Sequence, residues 1–282
     1  MNIFAQSSFK FKPSQIQIFT YFLFFYTLCA SIFTGDIIVL CLLLYTCLFS
    51  YLSFLILRKL SKKYKQFKNT LISSLIFFLI FHYTNSLIGL IPYSIGLLSI
   101  QLYKNFGYFK GLSIINPAIL GLVTAEIATY LIQIFFAIDI NSLPFISWWG
   151  AQFGNYFSLI LIIPWIAYGP RKWNKQWVLI PFITLFILAV CLLNSATYII
   201  PSLLSSTTYF FAAIMLIEPR TSPTKRNQQF IYGLLAGLLY FGLRHLGINY
   251  YELISLALAN SYYFILRQIK LQKNITTPQI PI

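Results

Sequence analysis

Long apolar runs separated by short polar clusters set the pattern of this chain. A helix needs about 20 apolar residues to cross the hydrocarbon of a bilayer, and fewer where neighbouring helices support it. On that criterion the sequence predicts ten spans, near 16–34, 37–57, 70–83, 87–103, 114–136, 152–169, 177–194, 203–217, 230–246 and 250–268. The first follows "MNIFAQSSFKFKPSQIQ", is too long for the core of a signal peptide and lacks a small-residue cleavage site. It therefore reads as a retained helix.

The basic residues fall between these runs in a definite order. Lys10 and Lys12 precede the first span, while Arg58, Lys59, Lys62, Lys63, Lys65 and Lys68 follow the second. Lys104 and Lys110 follow the fourth, and Arg171, Lys172 and Lys175 the sixth. Arg220, Lys225 and Arg226 follow the eighth; Arg267, Lys270 and Lys273 close the tenth. With ten spans all of these lie on one side, and only Arg244 falls opposite. The positive-inside rule then places the tails 1–15 and 269–282 in the cytoplasm, and the expected location is the inner (cytoplasmic) membrane. Ten spans divide into two fives, 16–136 and 152–268. An odd-numbered repeat must enter the membrane in opposite senses, so two inverted five-helix repeats are expected.

Composition fixes the class. The 282 residues are 59% hydrophobic and only 9% charged, with a mean hydropathy of +0.76. A soluble domain carries about 25% charged residues, so the fold class is all-α integral membrane. Aromatics at 19% suit a multi-span protein with rings at the interfaces. The net charge of +15 does not point to nucleic acid, because the bases sit where orientation signals lie. Cys29, Cys41, Cys47 and Cys191 all fall inside apolar runs without metal-type spacing, and read as small packing residues.

The candidate chemistry lies in the third span of each half. Both are short, and they open alike, with "LISSLIFF" from Leu71 and "LLSSTTYFF" from Leu203. Short spans at matching positions in two halves point to a midplane site. Ser73 and Ser74 are expected near the start of one short helix, and Ser205, Ser206, Thr207 and Thr208 at the start of the other. Hydroxyls and free N–H groups there suit an anionic group. Chance recurrence in a low-variety sequence is the bland alternative. Glu126, inside the fifth span, should face the bundle or a wet cavity, as a structural hydrogen bond or as a proton or cation site. His82 and His245 lie near span ends, and Asp36, Asp139 and Glu252 near span boundaries; none needs a special role. No Ser–His–Asp, metal-binding or P-loop pattern is present.

The stretch "IEPRTSPTKRNQQFIYGLLAGLLYFGLRHLGINYYELISLALAN" (217–260) resembles the RnfD/NqrB family, integral-membrane components of Rnf-type electron transport complexes and of sodium-pumping NADH:quinone reductases. The resemblance is carried by Glu218, where the family usually has Asp, and by Pro219, Thr221, Ser222, Pro223, Tyr232, Gly233, Gly237 and Asn260. "SIINPAILGLV" (113–123) is similar to the family's Asn–Pro–Ala helix start, here Asn116, Pro117 and Ala118. "LLSSTT" (203–208) falls where the family has a Ser–Gly–Ala–Thr stretch. The resemblance spans about 60–268. It implies a non-autonomous subunit of a redox-driven complex, coupled to Na⁺ or H⁺ movement and working with other subunits such as a flavin-type NAD(P)H reductase. Asn116 and the six hydroxyls are the cofactor-binding candidates it leaves, with no metal expected.

One departure matters. Family members with covalent FMN attach it through a Thr between the fifth and sixth spans, but "AIDINSLPFISWWGA" (137–151) contains none. Covalent FMN is therefore not expected, and non-covalent flavin (FMN or riboflavin) remains open. Trp148 and Trp149 could stack on a ring or anchor at the interface. In the 218–229 turn, Pro219 and Pro223 stop the helix and stiffen the loop, and Gly233 and Gly237 form a small-xxx-small face. The competing reading is a small-solute transporter or channel with inverted repeats.

Overall fold

The computed structural model describes residues 14–60, 67–84, 86–109, 112–138, 143–154, 156–193, 196–219 and 221–276. Lys10, Lys12, Lys62, Lys63, Lys65, Lys110, Asp139 and Arg220 lie outside the described residues, as do nearly all of the expected N-terminal tail and 277–282 of the C-terminal one.

Helix α1 (Gln15–Thr34) starts at a capping box. The Gln17 N–H donates to Ser14 Oγ at 3.3 Å, and the Ser14 N–H to Gln17 Oε1 at 2.7 Å. It stops at Gly35, whose φ of 66° ends the helix in the left-handed conformation. Asp36 then opens α2 (Ile37–Leu60) by accepting the Ile38 N–H at 2.8 Å, so this acid has a capping role. Helices α3 (Phe67–Ile80), α4 (Leu90–Phe106, after a 3-10 turn Leu87–Gly89) and α5 (Pro117–Phe136) complete the first half. The second half has α6 (Phe157–Lys172), α7 (Gln176–Leu193), α8 (Ala196–Leu203), α9 (Ser206–Phe210) with its π-helical continuation Phe211–Leu216, α10 (Arg226–His245) and α11 (Tyr251–Thr276).

Every expected range contains a helix, and α8 is an addition to the expected set. Among the described residues six segments are long and apolar enough to cross a membrane: α1, α2, Leu87–Phe106, α5, α7 and Thr197–Leu216. The other expected spans fall short of that measure for physical reasons. Helix α3 has 14 residues and is about 21 Å long at about 1.5 Å per residue. Helix α6 has 16 residues, and α10 opens on the polar run Arg226, Asn227, Gln228 and Gln229.

The burial pattern is that of a membrane bundle. On α2, Leu44, Leu48, Leu52 and Ile56 are exposed while Thr46, Ser50 and Ser53 are buried. Large apolar side chains facing out and small polar ones facing neighbouring helices are what lipid, rather than water, favours. Some of the buried hydroxyls fold back on their own helix, as Thr46 Oγ1 to the Leu42 carbonyl at 2.8 Å and Ser31 Oγ to the Thr27 carbonyl at 2.8 Å.

Two short elements occupy the centre. Helix α3 is buried from Ile72 to Ile80 and packs on α1, α2, α4 and α5. The α9–π segment is buried from Phe210 to Ile217 and packs on α6, α7 and α11. Beside them α4 packs on α5, and α10 on α7 and α11. Glycines permit the close approach. A Cβ on Gly96 of α4 would stand 2.6 Å from the Phe77 ring and 2.9 Å from Ala125 Cβ, and one on Gly233 of α10 would overlap the Val178 carbonyl oxygen. Two short antiparallel strand pairs tie loops together: β1 (Phe81–His82) with β4 (Phe145–Ile146), and β2 (Tyr108–Phe109) with β3 (Leu112–Ser113).

Candidate functional site at the ends of the two central helices

Helix α3 starts at Phe67, six residues earlier than Ser73. Ser73 and Ser74 therefore sit in its second turn, where the backbone N–H groups are already committed to the helix. They are expected near the helix start, and the structure places them one turn in from it. Lys68 and Asn69, which precede the expected span, are also helical, with Lys104 Nζ donating to the Asn69 carbonyl and Thr70 Oγ1 to the Phe67 carbonyl at 2.7 Å. Ser74 Oγ donates to the Thr70 carbonyl at 3.2 Å and accepts from Gln101 Nε2 of α4 at 3.4 Å. Thr70, Ser73, Ser74, Gln101 and Lys104 are all buried, so one end of α3 is a compact polar cluster within an apolar bundle.

Asn116 is the N-cap of α5. Its Oδ1 accepts the Ala118 N–H at 2.8 Å, and Pro117 follows at the first helical position, where its missing N–H costs nothing. Its Nδ2 is buried without a partner, a donor that costs free energy until something accepts it.

In the second half Ser205 is the N-cap of α9, so this part of the sequence expectation matches the helix start. Thr208 Oγ1 lies 3.1 Å from Ser205 Oγ and 3.1 Å from the hydroxyl of Tyr240 on α10. Ser206 and Thr208 are buried, whereas Ser205 and Thr207 are half-buried. The six hydroxyls thus fall into two groups. One is tied to α4 through Gln101 and the other to α10 through Tyr240.

The opposite ends of the central helices are closed by tryptophans. The Ile80 carbonyl of α3 accepts the N–H groups of Ser147 at 3.0 Å and Trp148 at 3.1 Å, and Trp149 Nε1 donates to the Phe78 carbonyl at 2.9 Å. Trp148 is 7% exposed, with φ of 56°. Trp148 and Trp149 therefore help to cap a buried helix. A helix that ends inside a bundle must have its last carbonyls satisfied there, and this segment does it. In the second half Trp165 Nε1 donates to the Ala213 carbonyl in the π segment at 3.1 Å. The space between the two helices is filled by rings, including Tyr26 against Phe210 at 5.7 Å and Trp148 against Phe210 and Phe211 at 6.4 and 6.5 Å.

The 218–229 turn is held both from within and by residues outside it. The Glu218 carbonyl accepts the Ser222 N–H at 3.0 Å and Ser222 Oγ at 2.7 Å. Lys175, before α7, is 3% exposed and donates Nζ to the carbonyls of Ser222 at 3.0 Å and Pro223 at 2.5 Å. Gln229 Nε2 reaches the Asn174 carbonyl at 2.7 Å, and the Tyr232 hydroxyl donates to Asn260 Oδ1 at 2.5 Å. Arg226 stacks over the Trp177 ring at 3.6 Å.

Glu126 accepts the Tyr250 hydroxyl at 2.7 Å, while its Oε2 is buried without a hydrogen-bond partner. His82 packs on Phe145, ring centroids 5.4 Å apart, and His245 is exposed at the end of α10. Sequence reasoning missed Gln101, Tyr240 and the structural part of Lys175. A lone Gln inside an apolar run was a usable signal, whereas one Tyr among 20 carried none. Among the described residues no group of three or more His, Cys, Asp and Glu could hold a metal ion. No protein-family model and no curated protein matches this chain.

Proposed function

We propose that this chain is an integral-membrane subunit of an Rnf/Nqr-like electron-transfer complex, built as two inverted five-span repeats with both termini in the cytoplasm. One observation carries the reading. The residues of the 217–260 resemblance are the ones that hold the second half together: Lys175 locks the turn through Ser222 and Pro223, Tyr232 bonds Asn260, and Gly233 admits the Val178 backbone. The repeat is supported by three pairs of like neighbours, α1, α2 and α5 around α3 and α6, α7 and α11 around the α9–π segment, although α3 also packs on α4.

In this reading the bundle supplies a rigid, ring-filled frame in the membrane, and a flavin-type NAD(P)H reductase and further redox subunits meet its basic cytoplasmic loops. Any non-covalent flavin would supply the redox chemistry. Asn116 Nδ2 is the one cofactor candidate with an unspent buried donor, and coupling to Na⁺ or H⁺ belongs to the same proposal. Deleting the chain should abolish the membrane-bound NAD(P)H-dependent electron transfer of its host complex, and the tagged chain should co-purify with a reductase partner. Unchanged membrane redox activity together with solitary purification would sink it.

Polar clusters at the N-terminal ends of both central helices favour a second reading, an inverted-repeat solute transporter. Solute flux in proteoliposomes without redox partners, abolished by Ser74→Leu or Ser206→Leu, would carry that reading instead.

A further inference from the structure

We propose that the cavity where α7 and α10 end side by side holds the headgroup phosphate of an anionic phospholipid, with Arg244 as its charged partner and His245 as a second donor. The inference rests on the membrane bundle alone and not on the electron-transfer reading. The two helices run parallel and meet closely in three successive layers. A Cβ at Gly233 would overlap the Val178 carbonyl oxygen, and one at Gly237 would stand 2.8 Å from Leu185 Cδ1. The Phe186 and Phe241 rings then stack 5.8 Å apart at 13°. Beyond that ring pair the contact opens. A cavity of about 240 Å³ lies there, lined by Ala189, Val190 and Leu193 of α7 and by Phe241, Arg244 and His245 of α10. A Cβ on the adjacent Gly242 would meet nothing within 4 Å.

Charge, size and place each say what fits. None of the six lining residues is acidic, α7 carries no charged residue from Gln176 to Leu193, and Arg244 has no ion-pair partner among the described residues. Glu252, which feels the Arg244 charge, is buried in the first turn of α11. One guanidinium matches the single negative charge of a phosphodiester and can bond two of its oxygens at once. The His245 imidazole has an N–H to give in its neutral and its charged form. Pockets for drug-sized ligands run to about 300–1,000 Å³, so this smaller space suits a headgroup rather than a flavin or a nucleotide. Leu193 and His245 are the last residues of their helices. Because α7 is long and apolar enough to span a bilayer, its end lies at headgroup depth. Leu188 and Leu192, one turn apart on α7, are 50% and 80% exposed and offer an acyl chain a ridge to lie along. A soluble anion gains nothing from that ridge, which commits the site to a lipid.

The site also gives a task to a residue that orientation signals leave over. In the ten-span reading Arg244 is the single base opposite all the others, where the positive-inside rule assigns it none. Basic pockets between membrane helices hold anionic headgroups by the same chemistry. A phosphate bound here neutralises Arg244 and occupies the space that the small Ala189 side chain leaves between the two helix ends.

The test is native mass spectrometry of the delipidated full chain in detergent, titrated with phosphatidylglycerol, phosphatidylcholine and inorganic phosphate. Phosphatidylglycerol should fill one site tightly, and neither of the other two should displace it at equal concentration. Arg244→Gln should weaken that site about tenfold, equivalent to about 1.4 kcal/mol. Ala189→Leu, which fills the cavity but keeps both bases, should weaken it as much. Lys59→Gln, which removes an equal charge at the end of α2, should bind as wild type does. Arg244 is exposed, so its variant decides the matter if Ala189→Leu fails to fold. Wild-type affinity in Arg244→Gln, the result expected if Arg244 serves only the C-terminal dipole of its helix, overturns the proposal. So does an equal loss in Lys59→Gln, or displacement of the lipid by inorganic phosphate. Because the chain is measured without redox partners, that failure would leave the electron-transfer proposal standing.

Discussion

Lys175 shows how one side chain can fix a loop that its own sequence leaves free. Its ammonium is buried beneath the 218–229 turn and donates to two backbone carbonyls, those of Ser222 and Pro223. Lys175→Met keeps the stem but leaves both acceptors without this partner, and should cost about 2–3 kcal/mol, read as a lower thermal denaturation midpoint in detergent. Burial, with the positive charge of Arg267 adding to it, pulls the amine from its ordinary 10.5 down to about 8. Between those values the unfolded chain holds a proton that the folded protein has released. Stability should therefore rise as pH is raised from about 8 to about 10, and Lys175→Met should flatten that rise. The residue was legible in the sequence only as one more orientation charge. Its carbonyl partners lie about 47 residues downstream, and no local pattern announces them.

Helix α10 depends on two glycines of unequal weight. Both stand in the small-xxx-small spacing that the sequence displays, but their surroundings differ. A Cβ at Gly233 meets the Val178 carbonyl of α7, which is backbone, and Pro181 Cγ at 2.9 Å. At Gly237 it meets Leu185 Cδ1 at 2.8 Å, the far end of a flexible side chain. Gly233→Ala should therefore push α10 off α7 and cost about 2–3 kcal/mol, while Gly237→Ala should cost less than about 1 kcal/mol. Paired thermal melts compare them directly, and equal losses would contradict the packing described. The same contrast runs through the central helices. "LISS" and "LLSS" look alike, yet Ser205 stands at an N-cap position and Ser73 lies in a second turn. Which residue opens a helix depends on partners such as Lys104, which holds the Asn69 carbonyl.

The two halves meet through contacts that neither half contains. Tyr250, at a φ of 58°, turns its hydroxyl onto Glu126 of α5, and the segment before α6 caps α3 through Ser147, Trp148 and Trp149. The proposed arrangement makes a topological prediction. Cysteines placed at Lys59 and Lys225 should be labelled by a membrane-impermeant thiol reagent from the same side, and one placed at Arg244 from the other, in a background lacking Cys29, Cys41, Cys47 and Cys191. Labelling of Lys59→Cys and Lys225→Cys from opposite sides would break the paired-fives architecture.

By itself the sequence determined the membrane class and the position of the helices, because lipid demands long apolar runs and the chain has no other way to satisfy its backbone there. It also marked the Asn116–Pro117 helix start, since a cap and its proline are adjacent. Only the tertiary structure decided which hydroxyls meet which partners, and that Trp148 and Trp149 close a buried helix. Hydrogen bonds between helices join residues tens of positions apart, as Thr208 to Tyr240 and Tyr232 to Asn260. Their formation depends on how helices are brought together rather than on any local pattern of residues.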